Sequence, residues 1–183
     1  MTIQEIIDRY DIRLDVRYTE GKMVRTGRIY VKDVRLMEKD NAQETIRDHK
    51  EAILAVLNKK FDDARRAEEE RQKKIDGIEG LKTLQSALND MENWRDEFHK
   101  SFEDVGGLGV HPKPQYDIEE LKRRYPRAAA YLLVESWMYS DHDVKSNAGR
   151  KAREKIINGE DYNAAIQAMK AEWKQYAQEH MMD

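Results

Sequence analysis

Cysteine is absent from the 183-residue chain. Disulfide staples, thiolate catalysis and cysteine-based zinc sites are excluded with it, and the absence suits a reducing compartment. Proline and glycine are scarce, at three and nine residues, so little interrupts long helices. No apolar run approaches the ~20 residues that span a bilayer; the longest is the short stretch Ala128–Val134. Met1–Asp8 lacks the basic start and unbroken apolar core of a secretory leader. A soluble protein of the cytoplasm is expected. The net charge is only -3, too small for a polyanionic DNA mimic and of the wrong sign for a globally basic nucleic-acid binder.

Catalytic fingerprints are missing too. The five histidines form no His-Glu-x-x-His pattern, and no serine sits in a nucleophile elbow. The glycines Gly106, Gly107 and Gly109 lack the Lys-Ser/Thr ending of a phosphate loop and the strand-to-helix context of a dinucleotide site. Asp141, His142 and Asp143 are the tightest set of ligand-type residues, and adjacent positions on a turn rarely converge on one metal. Asp141 or Asp143 reads as a helix cap. The expectation is a protein that is not an enzyme, with no cofactor and no metal.

What is present is helical periodicity. Residues 41–104 contain no proline, and Gly77 and Gly80 are their only glycines. Ile46, Ile53, Leu57, Phe61 and Ala64 share one helical face, as do Leu84, Leu88, Met91, Trp94, Phe98 and Phe102 further on. Between them, residues 62–74 carry only alanine as apolar residue. The simplest account is a helical hairpin or a bent rod, with the break at Asp76–Gly80 and a charged end projecting into water. The spacing after Leu84 also permits coiled-coil packing within the chain or between two chains, so the protein is a monomer or a dimer through the long helices.

Before this stretch, Thr2 and Glu5 have capping-box spacing ahead of Ile3, Ile6 and Ile7. Ile12, Leu14, Val16 and Tyr18 then alternate with Arg13, Asp15 and Arg17, which is strand periodicity. Glu20, Gly21 and Lys22 predict a turn. Met23–Leu36 reads as a second extended stretch, with Ile29, Val31, Val34 and Leu36 inward and Gly27 at a bulge, bend or break. Asp40 or Asn41 is the expected cap of the next helix. A sheet of two or three strands needs helices to pack on. Beyond residue 104, Val105–Pro114 holds three glycines and two prolines and reads as a hinge. A helical unit follows, with caps or starts at Asp117, Pro126 and Asp161 and a stop at Gly159. Its last helix frays at Met181 and Met182. The fold class is therefore α+β, predominantly α. Its parts are 1–40 (short helix and small antiparallel sheet), 41–104 (long helices), 105–115 (hinge) and 116–183 (helical unit).

Two basic clusters are the candidate contact surfaces. From Ile12 to Arg35, seven cations (Arg13, Arg17, Lys22, Arg25, Arg28, Lys32, Arg35) face three acids, leaving +4. Such a ribbon tracks phosphates or an acidic protein face; the plainer reading is a solvated sheet face that resists edge pairing. In the second cluster, Lys145, Arg150, Lys151, Arg153 and Lys155 are opposed only by Glu154, again leaving +4. The small residues Ser146–Gly149 beside it allow close approach to a backbone. The plainer alternative there is a solvated helix face with internal ion pairs. The aromatic residues Trp137, Tyr139, Trp173 and Tyr176 read as core packing ahead of a base-stacking platform.

The C-terminal segments Tyr125–Tyr131, Asn147–Arg153, Ile157–Tyr162 and Met169–Trp173 give the chain the look of a small accessory protein of a bacterial mobile element. In that setting the chain resembles anti-CRISPR proteins directed at type II (Cas9-type) effector nucleases. The resemblance covers roughly the last third and carries no defining motif, so no functional residue transfers with it. It implies a non-enzymatic inhibitor, acting in a bacterial host cell, that binds the nuclease complex and blocks target binding or cleavage. DNA or guide RNA is then within reach of the basic clusters. A phage or plasmid transcriptional regulator and a helical adaptor are the competing classes.

Overall fold

The computed structural model describes residues 1–20, 22–105 and 113–180, with side chains at all of these except 22 and 101–105. The fold is mainly helical with a small two-stranded antiparallel sheet near the N-terminus. The described residues form two compact units, Met1–Glu70 and Arg71–Asp183.

The first unit opens with α1 (Ile3–Arg9). Thr2 Oγ1 accepts from the Glu5 N–H and the Glu5 carboxylate accepts from the Thr2 N–H, closing the expected capping box. Strands β1 (Ile12–Thr19) and β2 (Lys22–Val31) pair antiparallel as a hairpin. Thr19 pairs with Lys22 and Glu20 has a positive φ of 51°; Gly21, also part of the predicted turn, lies outside the described residues. The ladder runs Ile12 to Val31 and Leu14 to Ile29, then resumes with Val16 opposite Arg25. Thr26, Gly27 and Arg28 thus oppose Asp15 alone, which is a bulge with Gly27 at φ 73°. Thr26 Oγ1 clamps it, donating at 2.8 Å to Asp15 Oδ2.

The extended stretch is shorter than the alternation suggests. Asp33 Oδ1 accepts from the Leu36 N–H and caps α2 (Val34–Lys39), so Val34, Arg35 and Leu36 are helical. A capping aspartate overrides the weak alternation after Val31. Asp40 and Asn41 do not cap the next helix either. Asp40 ends α2, and its carboxylate accepts from Arg9 Nε at 2.8 Å and from the Tyr10 hydroxyl at 3.2 Å. Helix α3 (Gln43–Asp48) starts from Ala42 without a side-chain cap, and α4 (Lys50–Asp76) follows. The core of this unit is Ile6, Ile7, Tyr10, Ile12, Ala42, Ile46 and Ile53, with Ile29, Val31, Leu36, Val56 and Leu57 packed against it. Each large side chain fully buried there contributes about 2 kcal/mol of transfer free energy.

The second unit holds the end of α4, then α5 (Leu81–Val105), α6 (Ile118–Arg124), α7 (Pro126–Met138), α8 (Asp143–Ile157) and α9 (Tyr162–His180). The predicted break at Asp76–Gly80 is present and separates α4 from α5, so the central stretch 41–104 holds α3, α4 and α5. Gly80 has φ 72°, and a Cβ there would fall 2.1 Å from the Tyr125 ring, so only glycine fits beneath that ring. Asp117 caps α6 through the Glu120 N–H at 2.8 Å. Pro126 opens α7, where its missing N–H costs nothing. Asp161 Oδ1 accepts from the Asn163 N–H at 2.8 Å ahead of α9, and Gly159 sits at φ 89°. The cap of α8 differs from expectation: it is His142, with no side-chain hydrogen bond. Leu81, Leu84, Ala128, Tyr131, Val134, Ala148, Ile156 and Met169 form the core. Of the hinge read at Val105–Pro114, Val105 is the last residue of α5 and residues 106–112 lie outside the described residues, as do the frayed end at Met181–Met182 and the side chain of Phe102. No described helix is long and apolar enough to cross a membrane.

Candidate binding surfaces

The two basic clusters meet different fates. In β1 and β2, alternation sorts side chains between two faces. Ile12, Leu14, Ile29 and Val31 lie on the core side, and Arg25 shares their face because the bulge adds an even number of residues. Arg25 accordingly turns to α4. It donates to Asp62 Oδ2 at 3.1 Å and lies 5.5 Å from the Phe61 ring centre, so it belongs to the packing of the sheet on the helix. Arg13, Arg17, Arg28 and Tyr30 take the other face, and Lys32 continues their parity just beyond the strand. Arg13 donates to Asp11 at 2.8 Å, and Lys32 approaches the same carboxylate at 3.6 Å. Arg13 holds the Asp11 carboxyl below the usual carboxylate range, with Lys32 a lesser influence. The side chains of Arg17 and Arg28 are exposed and form no ion pair or hydrogen bond among the described residues. Arg35 is exposed on α2, off the sheet, and the side chain of Lys22 lies outside the described set.

The distal half of the hairpin is uncovered on both faces. Tyr18 is 76% exposed, Met23 58% and Val24 50%, and Val16 is exposed too. Tyr18 and Met23 oppose each other on the face that is buried nearer Ile12, whereas Val24 opposes Arg17 on the other. The result is a short ribbon whose end buries neither face and carries aromatic, thioether and guanidinium groups together.

On α8 the cations are dispersed. At 100° per residue, Lys145, Arg150, Lys151, Arg153 and Lys155 point in five directions around the axis, and four are engaged locally. Lys145 Nζ sits 5.1 Å from the Trp137 ring centre. Arg150 donates to Asn147 at 3.2 Å, and Lys151 pairs with Glu172 at 2.8 Å. Arg153 donates through Nε and Nη2 to the buried Tyr131 hydroxyl at 3.1 and 2.9 Å, and that hydroxyl lies 3.4 Å from Glu135. Burial pushes the Tyr131 phenol up, and the Arg153 hydrogen bonds pull part of the way back. Lys155 is exposed and unpaired among the described residues. Glu154, the one acid of the cluster, is held by Arg71.

The small residues of Ser146–Gly149 do admit a close backbone, and it is that of α7. A Cβ on Gly149 would lie 3.0 Å from Val134 O, Trp137 Cβ and Met138 N. Ser146 Oγ donates at 2.8 Å to Met138 O, one of the carbonyls left open at the end of α7. The small residues are thus used for helix packing within the second unit.

The aromatic set is divided as well. Tyr139 is 79% exposed, and Trp137 takes Lys145. Trp173 and Tyr176 stack at 5.8 Å, and His142 lies steeply inclined to both rings, at 4.8 and 4.9 Å. No spacing rule identified His142 as their partner. No group of three or more His, Asp or Glu is placed to hold a metal among the described residues. An open apolar groove of about 570 Å³ lies in the second unit, lined by Leu84, Leu88, Ala129, Leu133 and Ile166 with Lys122 at the rim.

No protein-family model matches the chain, and comparison with curated proteins and with solved structures finds no match.

Proposed function

We propose that the protein works by macromolecular contact, without catalysis, as an inhibitor of a CRISPR type II effector nuclease, and that the hairpin of the first unit is its principal contact surface. The observation that carries the surface is the hairpin end: a ribbon of ordinary strand geometry that leaves Tyr18, Met23 and Val24 in water beside unpaired Arg17 and Arg28. Aromatic, methionine and arginine side chains are the types enriched where proteins bind one another. Such nucleases carry both protein surfaces and a guide–target heteroduplex, so one ribbon with apolar and cationic groups has complements of both kinds there. The sequence resemblance supplies the partner, and the setting is the bacterial host cell.

A target-cleavage assay with purified, guide-loaded type II effectors tests the proposal. An excess of the full chain is expected to suppress cutting, and the doubly substituted Tyr18→Ser, Met23→Ser protein to suppress it at least tenfold less well. Undiminished cutting at large excess across representative effectors would sink the inhibitor reading. A second reading, a nucleic-acid-binding regulator, draws on the cationic outer face alone. Tight binding to one duplex sequence with no effect on cleavage would select it.

A further inference from the structure

The two faces of the hairpin differ in chemistry, and the difference points to a specific ligand. Among the described side chains, Arg13, Arg17, Arg28 and Lys32 stand on the outer face with Asp11 and Asp15 as its acids, so four cations against two acids leave +2. Asp15 is occupied by Thr26, and Asp11 by Arg13 and Lys32. Arg17 and Arg28 remain as exposed guanidinium groups, each with its full set of donors available to oxygen acceptors.

Spacing then restricts the ligand. Arg13 and Arg17 are four residues apart along β1, about 13 Å at the strand rise of ~3.3 Å per residue. The bulge places Arg28 between these levels on the neighbouring strand. The major groove of B-form DNA is about 12 Å wide and admits a two-stranded β-ribbon. Arg13, at one end of that span, is engaged by Asp11, so the free cations of the ribbon among the described side chains are Arg17 and Arg28, about two residues apart in level on neighbouring strands. A single strand is a poorer match. It calls for a row of aromatic stacking platforms, whereas the one aromatic side chain described on this face is Tyr30, opposite Arg13. The net charge of -3 does not oppose local contact, because charges more than about 8 Å apart are largely screened at physiological salt.

We infer that the outer face of the β1–β2 hairpin is a binding site for the phosphate backbone of double-stranded DNA, entering the major groove with Arg17 and Arg28 as its phosphate contacts. The inference rests on the reading above that the hairpin is the contact surface, and it adds the chemical identity of one ligand.

The test is fluorescence anisotropy of a labelled 20-base-pair duplex with the full chain, between 50 and 200 mM salt. A dissociation constant of about 10 µM at the lowest salt is expected, in the range of non-specific DNA binding. Two neutralised phosphates, with release of their counterions, predict a log–log salt slope of about -2, at roughly 0.9 per phosphate. Arg17→Glu with Arg28→Glu should weaken binding at least tenfold and flatten the slope. Arg17→Lys with Arg28→Lys should stay within about threefold of the parent, and Lys155→Glu on α8 should change nothing. Four results would each overturn the site: no binding at 50 mM salt, an unaffected double glutamate protein, equal binding of a single-stranded oligonucleotide, or equal displacement by polyglutamate. Nuclease inhibition without duplex binding removes this site and leaves the inhibitor reading; duplex binding without inhibition does the reverse.

Discussion

The hairpin (Ile12–Val31) and helix α8 (Asp143–Ile157) carry the same excess of three positive charges, five cations against two acids in each, and end differently. In the hairpin, a period of two collects charge onto one side of a ribbon. Arg17 and Arg28 stay unengaged there, and Arg25, of the opposite parity, is drawn to Asp62 and Phe61. In α8 a step of 100° scatters five cations around the axis, where Trp137, Asn147, Glu172 and Tyr131 each take one. A run of basic residues is therefore a surface feature only after its periodicity is known. The same composition makes a ligand face on a strand and a set of internal tethers on a helix.

Substitutions can sharpen or break that contrast. The largest effect is expected where α8 is pressed on α7. Gly149→Val drives side-chain atoms into the α7 backbone and should cost about 3 kcal/mol in chemical denaturation, the upper end of overpacking penalties. An undiminished midpoint would mean that α8 is not fixed against α7 by its small face. Next is Tyr131→Phe, which takes the shared hydroxyl away from Arg153. A loss of about 1–2 kcal/mol is expected for a buried hydrogen bond removed from one side. Gly27→Ala in the hairpin meets open space but keeps a left-handed φ of 73°, so its cost is conformational, about 1 kcal/mol. Smallest is Arg17→Gln with Arg28→Gln, which should leave stability within about 0.5 kcal/mol. A larger loss would show that the outer face is a structural tether like α8.

Opposite ends of the pH scale should separate the units. Arg9, through its hydrogen bond, holds the Asp40 carboxyl below its ordinary value, and the Thr2 backbone does the same for Glu5. A depressed carboxyl stabilises above the unfolded value of about 4 and loses that contribution as pH falls through the folded one. Tyr131 is displaced upward by burial. Its contribution is present below the unfolded value of about 10 and is lost as pH rises through the folded one. Unfolding followed by hydrogen exchange should show Met1–Glu70 weakening first in acid and Arg71–Asp183 first in alkali.

Much of this architecture was legible in the residues. Thr2 with Glu5, Asp117, Pro126, Gly159 and Asp161 mark helix ends locally, and each does so here. Period two placed β1, and the gap at Gly27 marked the bulge. Three features were not legible, for physical reasons. Asp33 can continue a strand or cap a helix, and only the Leu36 N–H decides between them. Asp40 has a cap's chemistry but serves Arg9 and Tyr10, far from it in sequence. Parity says which hairpin residues share a face but not whether that face is covered, so the exposure of Tyr18 and Met23 emerged only with packing. For the candidate surface, both arginines that carry the inference stood in the basic ribbon of the sequence; their separation from Arg25 required the register.

That register has a guard. Sliding β1 by a single residue would exchange the faces of that strand and send Arg17 toward α4. The extra residues at Thr26–Arg28, latched by the Thr26–Asp15 hydrogen bond, have a matching gap at only one place along β1. The bulge therefore acts as an alignment pin: with it in place, slippage costs the latch and the bulge together. A hairpin with the insertion deleted would lose its phase reference while retaining its composition.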